Sequence, residues 1–322
     1  MSRITVLVAA YNAEKYLAES LDSLLGQTLH DIQIVCIDDA STDSTPDILD
    51  EYAARDSRIK VITEKVNRGQ AIARNQGIDI AEGDYITMLD ADDRLSADAL
   101  ESAVNMLDAN PETSAALFRL VWFDEDGVTP YPMRSDKRVW SGQEAFELSL
   151  DWSLHGLYVA RAELFKRWPY DTSCRLFSDD NTTRLHYLNA GVVRLCEGVY
   201  EYRRHGESMT NRISAERIDL LEANASMMRQ LREAGQPRRV LAIFERERWI
   251  NLTGICGFWL RHSEILDKDK ALERFRAVWE DIDRTLLPAG LKMKFGYIPC
   301  RTFKLYFRQV EFYFTLRRLL GK

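Results

Sequence analysis

The first 120 residues repeat one pattern: a short apolar run, a polar cluster, then a stretch with helical spacing. Ile4 to Ala10 is continuously apolar, as in a strand covered on both faces. Ile32 to Ile37, Ile59 to Thr63 and Tyr85 to Leu89 follow as further strands, and Ser114 to Phe123 as a fifth, turning at Asp126-Gly127. Between them, helices are expected over Ala13 to Leu25, Ser44 to Tyr52 and Gly69 to Ile80. One more runs from a Ser96 N-cap through Leu107. Strands alternating with helices of this length imply βαβ units, an α/β fold and a mostly parallel central sheet flanked by helices.

Ligands of such sheets bind beyond the C-terminal strand ends. Three polar clusters fall at such ends: Tyr11-Asn12, Asp38 to Asp43, and Asp90 to Asp93. The last packs three carboxylates into four residues. Like charges at close range raise one another's pKa unless a cation compensates. A hard divalent ion such as Mg²⁺ or Mn²⁺ would do so; an acidic turn with a helix cap is the plainer alternative. In the second cluster a carboxylate can accept a base N–H, or the segment is a capped loop. Arg74, in Asn67 to Gly77, can reach an anionic ligand or pair with one of these acids.

Residues 128–210 are less periodic and read as mixed α/β with long active-site loops. Residues 215–260 and Lys268 to Leu287 read as helical, making 213–322 a helical C-terminal region. Residues 291–322 hold eight Lys/Arg against one acid, Glu311, so the tail carries +7 and the remainder −14. Aromatics are interleaved with these charges. With Phe303, Phe307, Val310 and Phe314 roughly on one face, the tail is either an amphipathic element on an anionic membrane or a helix packing on the protein. The acidic remainder argues against nucleic acid as a partner. Five scattered cysteines without a CxxC suggest a reducing compartment, and no run has the length of a membrane span or the form of a signal peptide. A cytoplasmic protein, at the inner face of the membrane if the tail binds lipid, is the expectation.

Five motifs occur in order: Tyr11 to Leu17, Gln27-Thr28, Asp38 to Thr45, Ala73 to Gly77 and Leu89 to Asp93. Together they closely resemble the inverting, nucleotide-sugar-dependent glycosyltransferases of family 2, which have the GT-A fold. The resemblance is strong over about residues 3–125 and weaker through about 210. It implies a catalytic domain over 1–212, with a nucleotide-binding half to about 125 and an acceptor-side half beyond. It implies a bacterial surface-polysaccharide setting, a nucleotide-diphosphate sugar donor, UDP favoured, and a glycan or lipid-linked glycan acceptor. Asp39 or Asp38 would read the nucleobase, and Tyr11 and Arg74 would line the nucleotide pocket. Asp90 and Asp92 match the DxD motif. Asp92 would hold the metal, Asp90 would touch ribose or a metal-bound water or share the metal, and Asp93 would either support these residues from behind or lie on the acceptor side.

The family's Glu-Asp pair has its counterpart in Asp179-Asp180. Asp180 matches the base, and Asp179, standing where Glu is usual, is the alternative. A carboxylate suits direct displacement, which needs an acceptor for the hydroxyl proton. Tyr200 to Thr210 resembles the loop that closes over the diphosphate, so His205 could complete the metal shell and Arg203 or Arg204 neutralise phosphate. Trp152 to Phe165 resembles the family's acceptor-side strand and helix, with Tyr158 to Arg161 running beneath the active site; His155 could face the acceptor or be a structural histidine. Other readings of the fold are a nucleotidyltransferase, which would want a glycine-rich, lysine-containing loop after strand one, and a non-catalytic sugar- or partner-binding protein.

Overall fold

The computed structural model describes residues 3–174, 176–206 and 213–320. The chain divides into two compact units, Met1–Ser208 and Met209–Lys322. The first unit begins with β1 (Ile4–Ala10), α1 (Leu17–Leu25), β2 (Ile32–Asp38), α2 (Thr45–Arg55), β3 (Ile59–Thr63), α3 (Gln70–Asp79) and β4 (Tyr85–Met88). It continues with β5 (Arg94–Leu95), α4 (Ala99–Ala109), β6 (Thr113–Asp124), β7 (Gly127–Pro130), β8 (Val139–Ser141) and α5 (Gly142–Ser149). The last elements are β9 (Tyr158–Arg161), α6 (Ala162–Arg167), α7 (Ser178–Asn189) and β10 (Val192–Arg203).

These strands form one sheet in the order β3-β2-β1-β4-β9-β6-β10-β5, with β7 on β6 and β8 on β10. The expected parallel sheet holds across β3-β2-β1-β4 and between β6 and β10. The other half is mixed: β9 runs antiparallel to both β4 and β6. Every residue of β2, and all but one of β1, is buried, so their apolar runs, broken only by the mutually bonded Thr5 and Gln33, are explained by cover on both faces.

Two helices start later than their apolar spacing suggests. α1 begins at Leu17 rather than Ala13. The backbone N–H groups of Asn12, Ala13 and Glu14 are instead donated to Ser41, Thr45 and Asp43 across the cleft mouth. α4 begins after Asp98 rather than Ser96. The Ser96 hydroxyl accepts from the Val199 backbone, and Arg94–Leu95 pairs with β10, so this segment belongs to the sheet edge. α3 lies close on the sheet because of Gly77. A Cβ there would come within 2.8 Å of Leu7 and 3.0 Å of Ile37. That approach carries Arg74 beneath the strand ends.

The second unit is helical: α8 (Leu220–Glu233), α9 (Arg238–Arg261), α10 (Lys268–Asp281), α11 (Ala289–Met293) and α12 (Phe303–Leu319). Its core joins Trp249, Leu252, Cys256 and Trp259 of α9 to Phe275 of α10 and to Phe303, Tyr306 and Val310 of α12. The face of α12 expected to meet either a membrane or the protein is therefore this unit's interior. Phe307 and Phe314 pack there too, and Gly257 of α9 makes room for the Phe314 ring. Among the described residues, no helix is long and apolar enough to cross a membrane.

Candidate active site

The polar clusters meet at the C-terminal ends of β1, β2 and β4, where Ala10 stands opposite Asp38 and Leu7 opposite Met88. Two residues here have left-handed backbones, Asn12 (φ 49°) and Ala40 (φ 61°). Such conformations cost about 1–3 kcal/mol each and concentrate at functional sites. The Asn12 carboxamide accepts the Thr42 N–H at 2.8 Å, tying the two loops together. Tyr11, the residue directly after β1, is 43% exposed.

The neighbouring acids are buried. The Asp38 carboxylate accepts the Ser41 N–H at 3.1 Å. Asp39 accepts the N–H groups of Arg68 at 2.8 Å and Gly69 at 2.7 Å. Gly69, at φ 94° and ψ 157°, adopts a conformation that only glycine takes readily, and this lets α3 start where Asp39 holds it.

Asp90, Asp92 and Asp93 have three different surroundings. Asp90 accepts Arg74 Nη2 at 2.6 Å and Gln70 Nε2 at 3.1 Å. Burial raises its pKa; Arg74 pulls the other way, while Asp92 and Asp179 add to the rise. Asp92 is partly exposed, and its Oδ2 lies 2.8 Å from His205 Nε2. Asp93 turns inward. It is 1% exposed, accepts the Tyr200 hydroxyl at 2.8 Å and the Arg203 N–H at 2.7 Å, and is pushed well above the usual carboxylate range by burial and by Asp90 and Asp92. A role toward an acceptor has no exposed carboxylate to use, so Asp93 is a brace between this turn and β10.

Arg74 pairs with the acids, the second of its two readings. It is 1% exposed, stacks 5.1 Å from the Tyr170 ring, and reaches Asp179 at 3.3 Å as well as Asp90. Burial works against its charge, but Asp90, Tyr170 and Asp179 outweigh burial and hold it protonated. The Asp90 strand end is thereby joined to the first turn of α7, where Asp180 also lies. Phe177, just before α7, is left-handed at φ 64°. Burial and the Asp179 charge push Asp180 up to about 7, with Arg184 opposing them.

The remaining expected residues divide. Arg203 lies between the Tyr16 and Phe123 rings, donates to the Asp92 carbonyl at 2.7 Å and pairs with Glu19 at 2.5 Å. It is a strut beneath the acidic turn. Arg204 pairs with Asp124 at 2.5 Å and stacks over Trp122. His155 is interior rather than turned toward an acceptor. Its Nδ1 accepts the Leu157 N–H at 3.3 Å, its carbonyl accepts the Tyr187 hydroxyl at 2.6 Å, and burial pushes its pKa down to about 3. The end of the closing loop, Glu207 to Thr210, and the 212 boundary lie outside the described residues.

Tyr200 and Gln70 were not expected here. Tyr200 serves twice, accepting the Asp90 N–H at 3.1 Å and donating to Asp93. Its position in a tyrosine-rich strand gave no sign of that. Arg184, four residues after Asp180, stacks 4.8 Å from the Trp152 ring, and Trp152 is left-handed at φ 57°. The guanidinium that opposes the rise in the Asp180 pKa is thereby backed by an aromatic ring.

A family profile described as "Glycosyl transferase family 2" matches residues 5–174, more than half the chain. The chain belongs to glycosyl transferase family 2. This glycosyltransferase is 28% identical over 219 residues to glycosyltransferase GlyG of Streptococcus pneumoniae serotype 4, covering 64% of this chain and 72% of that one. The stretches shared with the next curated relatives are only 62%, 43% and 36% of their lengths. Among solved structures, S. aureus TarS 1–349 in complex with UDP-GlcNAc superposes at TM-score 0.73 with 22% identity, covering 97% of this chain and 91% of that one. The mannosyltransferase PcManGT from Pyrobaculum calidifontis, in complex with GDP-Man and Mn²⁺, gives TM-score 0.55 at 19% identity, over 99% and 88%. The fold is therefore GT-A, with a helical C-terminal extension.

Proposed function

We propose that this glycosyltransferase moves a sugar from a UDP-sugar to a hydroxyl of a glycan or lipid-linked glycan by inverting displacement, with Asp180 as the base. The observation carrying this reading is the Arg74 bridge, which joins the Asp90 strand end to the Asp179-Asp180 turn in one electrostatic unit. In the reaction the acceptor O–H gives its proton to the Asp180 carboxylate as its oxygen bonds to the anomeric carbon. The bond from that carbon to the diphosphate oxygen breaks on the opposite side, and its electron pair leaves with the nucleotide. A pKa near 7 lets Asp180 take a proton near neutral pH. Tyr11 and the buried Asp38–Asp39 loop form the nucleotide side, and Asp39 reads the base by ordering the Arg68–Gly69 backbone. Structural neighbours hold both UDP- and GDP-sugars, so the UDP preference rests on the sequence motifs.

Asp92, with His205 beside it, would hold a divalent ion. Among the described residues no three His, Cys, Asp or Glu side chains converge, and Asp92 and His205 are the two ligands they would offer the ion. That suits Mg²⁺ or Mn²⁺ on a nucleotide, where phosphate oxygens and water complete the shell. Bound there, the ion would neutralise charge on the leaving diphosphate. Asp90 is the weaker ligand, because Arg74 and Gln70 occupy one of its oxygens.

A thermal-shift screen of UDP-, GDP-, dTDP- and CMP-sugars with and without Mn²⁺ tests the donor assignment. A donor at a hundred times its Kd should stabilise the protein by about 2.7 kcal/mol. The UDP-sugar shift should need the metal, and Asp92→Asn should remove the metal-dependent part. No metal-dependent shift with any nucleotide would overturn the donor and metal assignments together.

A further inference from the structure

Burying Phe303, Tyr306 and Val310 leaves α12 with a second apolar stripe on its opposite side. Leu305, Phe312, Leu316 and Leu319 are spaced by seven, four and three residues and share one helical face. They are 54%, 56%, 37% and 74% exposed. Phe295 packs edge-on against Phe312 at 5.9 Å and widens the stripe. Eight of the fourteen exposed large hydrophobics among the described residues lie between 293 and 320. The same segment is the basic one. None of its Lys or Arg side chains up to Arg318 pairs with a carboxylate among the described residues, and Arg301, Lys304 and Arg308 flank the stripe.

We propose that this outward face of α12 docks on an anionic phospholipid surface, with the leucines and phenylalanines entering the interface and the cations meeting lipid phosphates. Charge favours this occupant over a second copy of the chain. With Leu305, Phe312 and Leu319 at one position of a heptad, Gln309 and Leu316 take the other, and Arg308 lies beside the seam. A coiled coil would bury Gln309, whose carboxamide is already bonded to the Gly296 and Ile298 backbone, and bring like charges together. A lipid surface instead supplies the missing negative charge and leaves the long basic side chains at the headgroups.

The full chain, without donor or acceptor, is sedimented with vesicles of phosphatidylcholine alone or mixed equally with phosphatidylglycerol. The result is thus independent of any transfer activity. Only the anionic vesicles should capture the protein, and added salt should release it. Lys304→Glu with Arg308→Glu should weaken capture by more than about tenfold, since each lost cation is worth about fivefold. Leu316→Gln with Leu319→Gln should weaken it similarly. Both positions are exposed, so the melting temperature should stay near wild type; Leu319→Gln alone serves if it does not. Equal capture by neutral vesicles, or no capture, would overturn the proposal. So would a concentration-dependent dimer abolished by the leucine substitutions.

Discussion

Asp180→Asn should lower kcat by about a hundred- to ten-thousandfold and leave the donor-induced thermal shift nearly intact. The amide keeps the size of the carboxylate and loses its ability to take a proton. Asp180 titrates near 7 because burial raises it and the Asp179 charge raises it further. The base must be ionised, so kcat/KM should fall about tenfold per pH unit below that value and level off above it. Asp179→Asn removes the neighbouring charge, so the acidic limb should move to lower pH, whatever the substitution does to the plateau. A pH series on the two variants distinguishes the roles. If Asp179→Asn abolishes transfer while Asp180→Asn keeps a normal limb, the assignment reverses. If Asp180→Asn loses donor binding, Asp180 belongs to the donor side.

How far these residues were legible depends on sequence separation. β1 matched its apolar run end for end, because a strand buried on both faces writes itself as a nearly unbroken run, and β3, half exposed at the sheet edge, matched its bounds as well. The family resemblance marked Tyr158 to Arg161 as a strand, but its antiparallel place between β4 and β6 was not legible, since pairing across the sheet leaves no local pattern. β5 has two residues and exists only through β10. The acidic turn was found as a site, but its division of labour was not. Asp93 faces inward because of Tyr200, over a hundred residues later, and no spacing rule connects them. Arg203 and Arg204 were equal candidates in sequence. The described contacts make the first a strut under Asp92 and tie the second to Asp124. The apolar face of α12 was read correctly as a face, but helical periodicity cannot say whether lipid or protein covers it. α9 and α10 do. Family membership sets aside the nucleotidyltransferase, against which Tyr11 to Glu14, lacking glycine, already counted.

Arg74→Met should be the most destabilising single change at the site, by about 3 kcal/mol. The side chain is almost fully buried and faces Asp90 at 2.6 Å and Asp179 at 3.3 Å. Losing one partner of a buried pair typically costs about 3–5 kcal/mol, and the partial exposure of both carboxylates places this one at the low end. For a unit of this size, each kcal/mol lowers Tm by about 2–4 °C. The pH dependence separates lost charge from lost packing. Without Arg74 the carboxylates lose their compensating cation, and the folded-state pKa of Asp90, already raised by burial, rises further. The folded variant then holds protons that the unfolded chain has released, so its stability falls as pH rises above the ordinary carboxylate range. The deficit against wild type should be smallest at acidic pH and grow toward neutrality. Arg74→Lys should recover part of the loss, because it restores the charge but not the planar fork that spans both acids. A deficit that does not change with pH, and is equal in Met and Lys, would mean that Arg74 serves by filling space against Tyr170, and the electrostatic link between the strand end and α7 would fall with it.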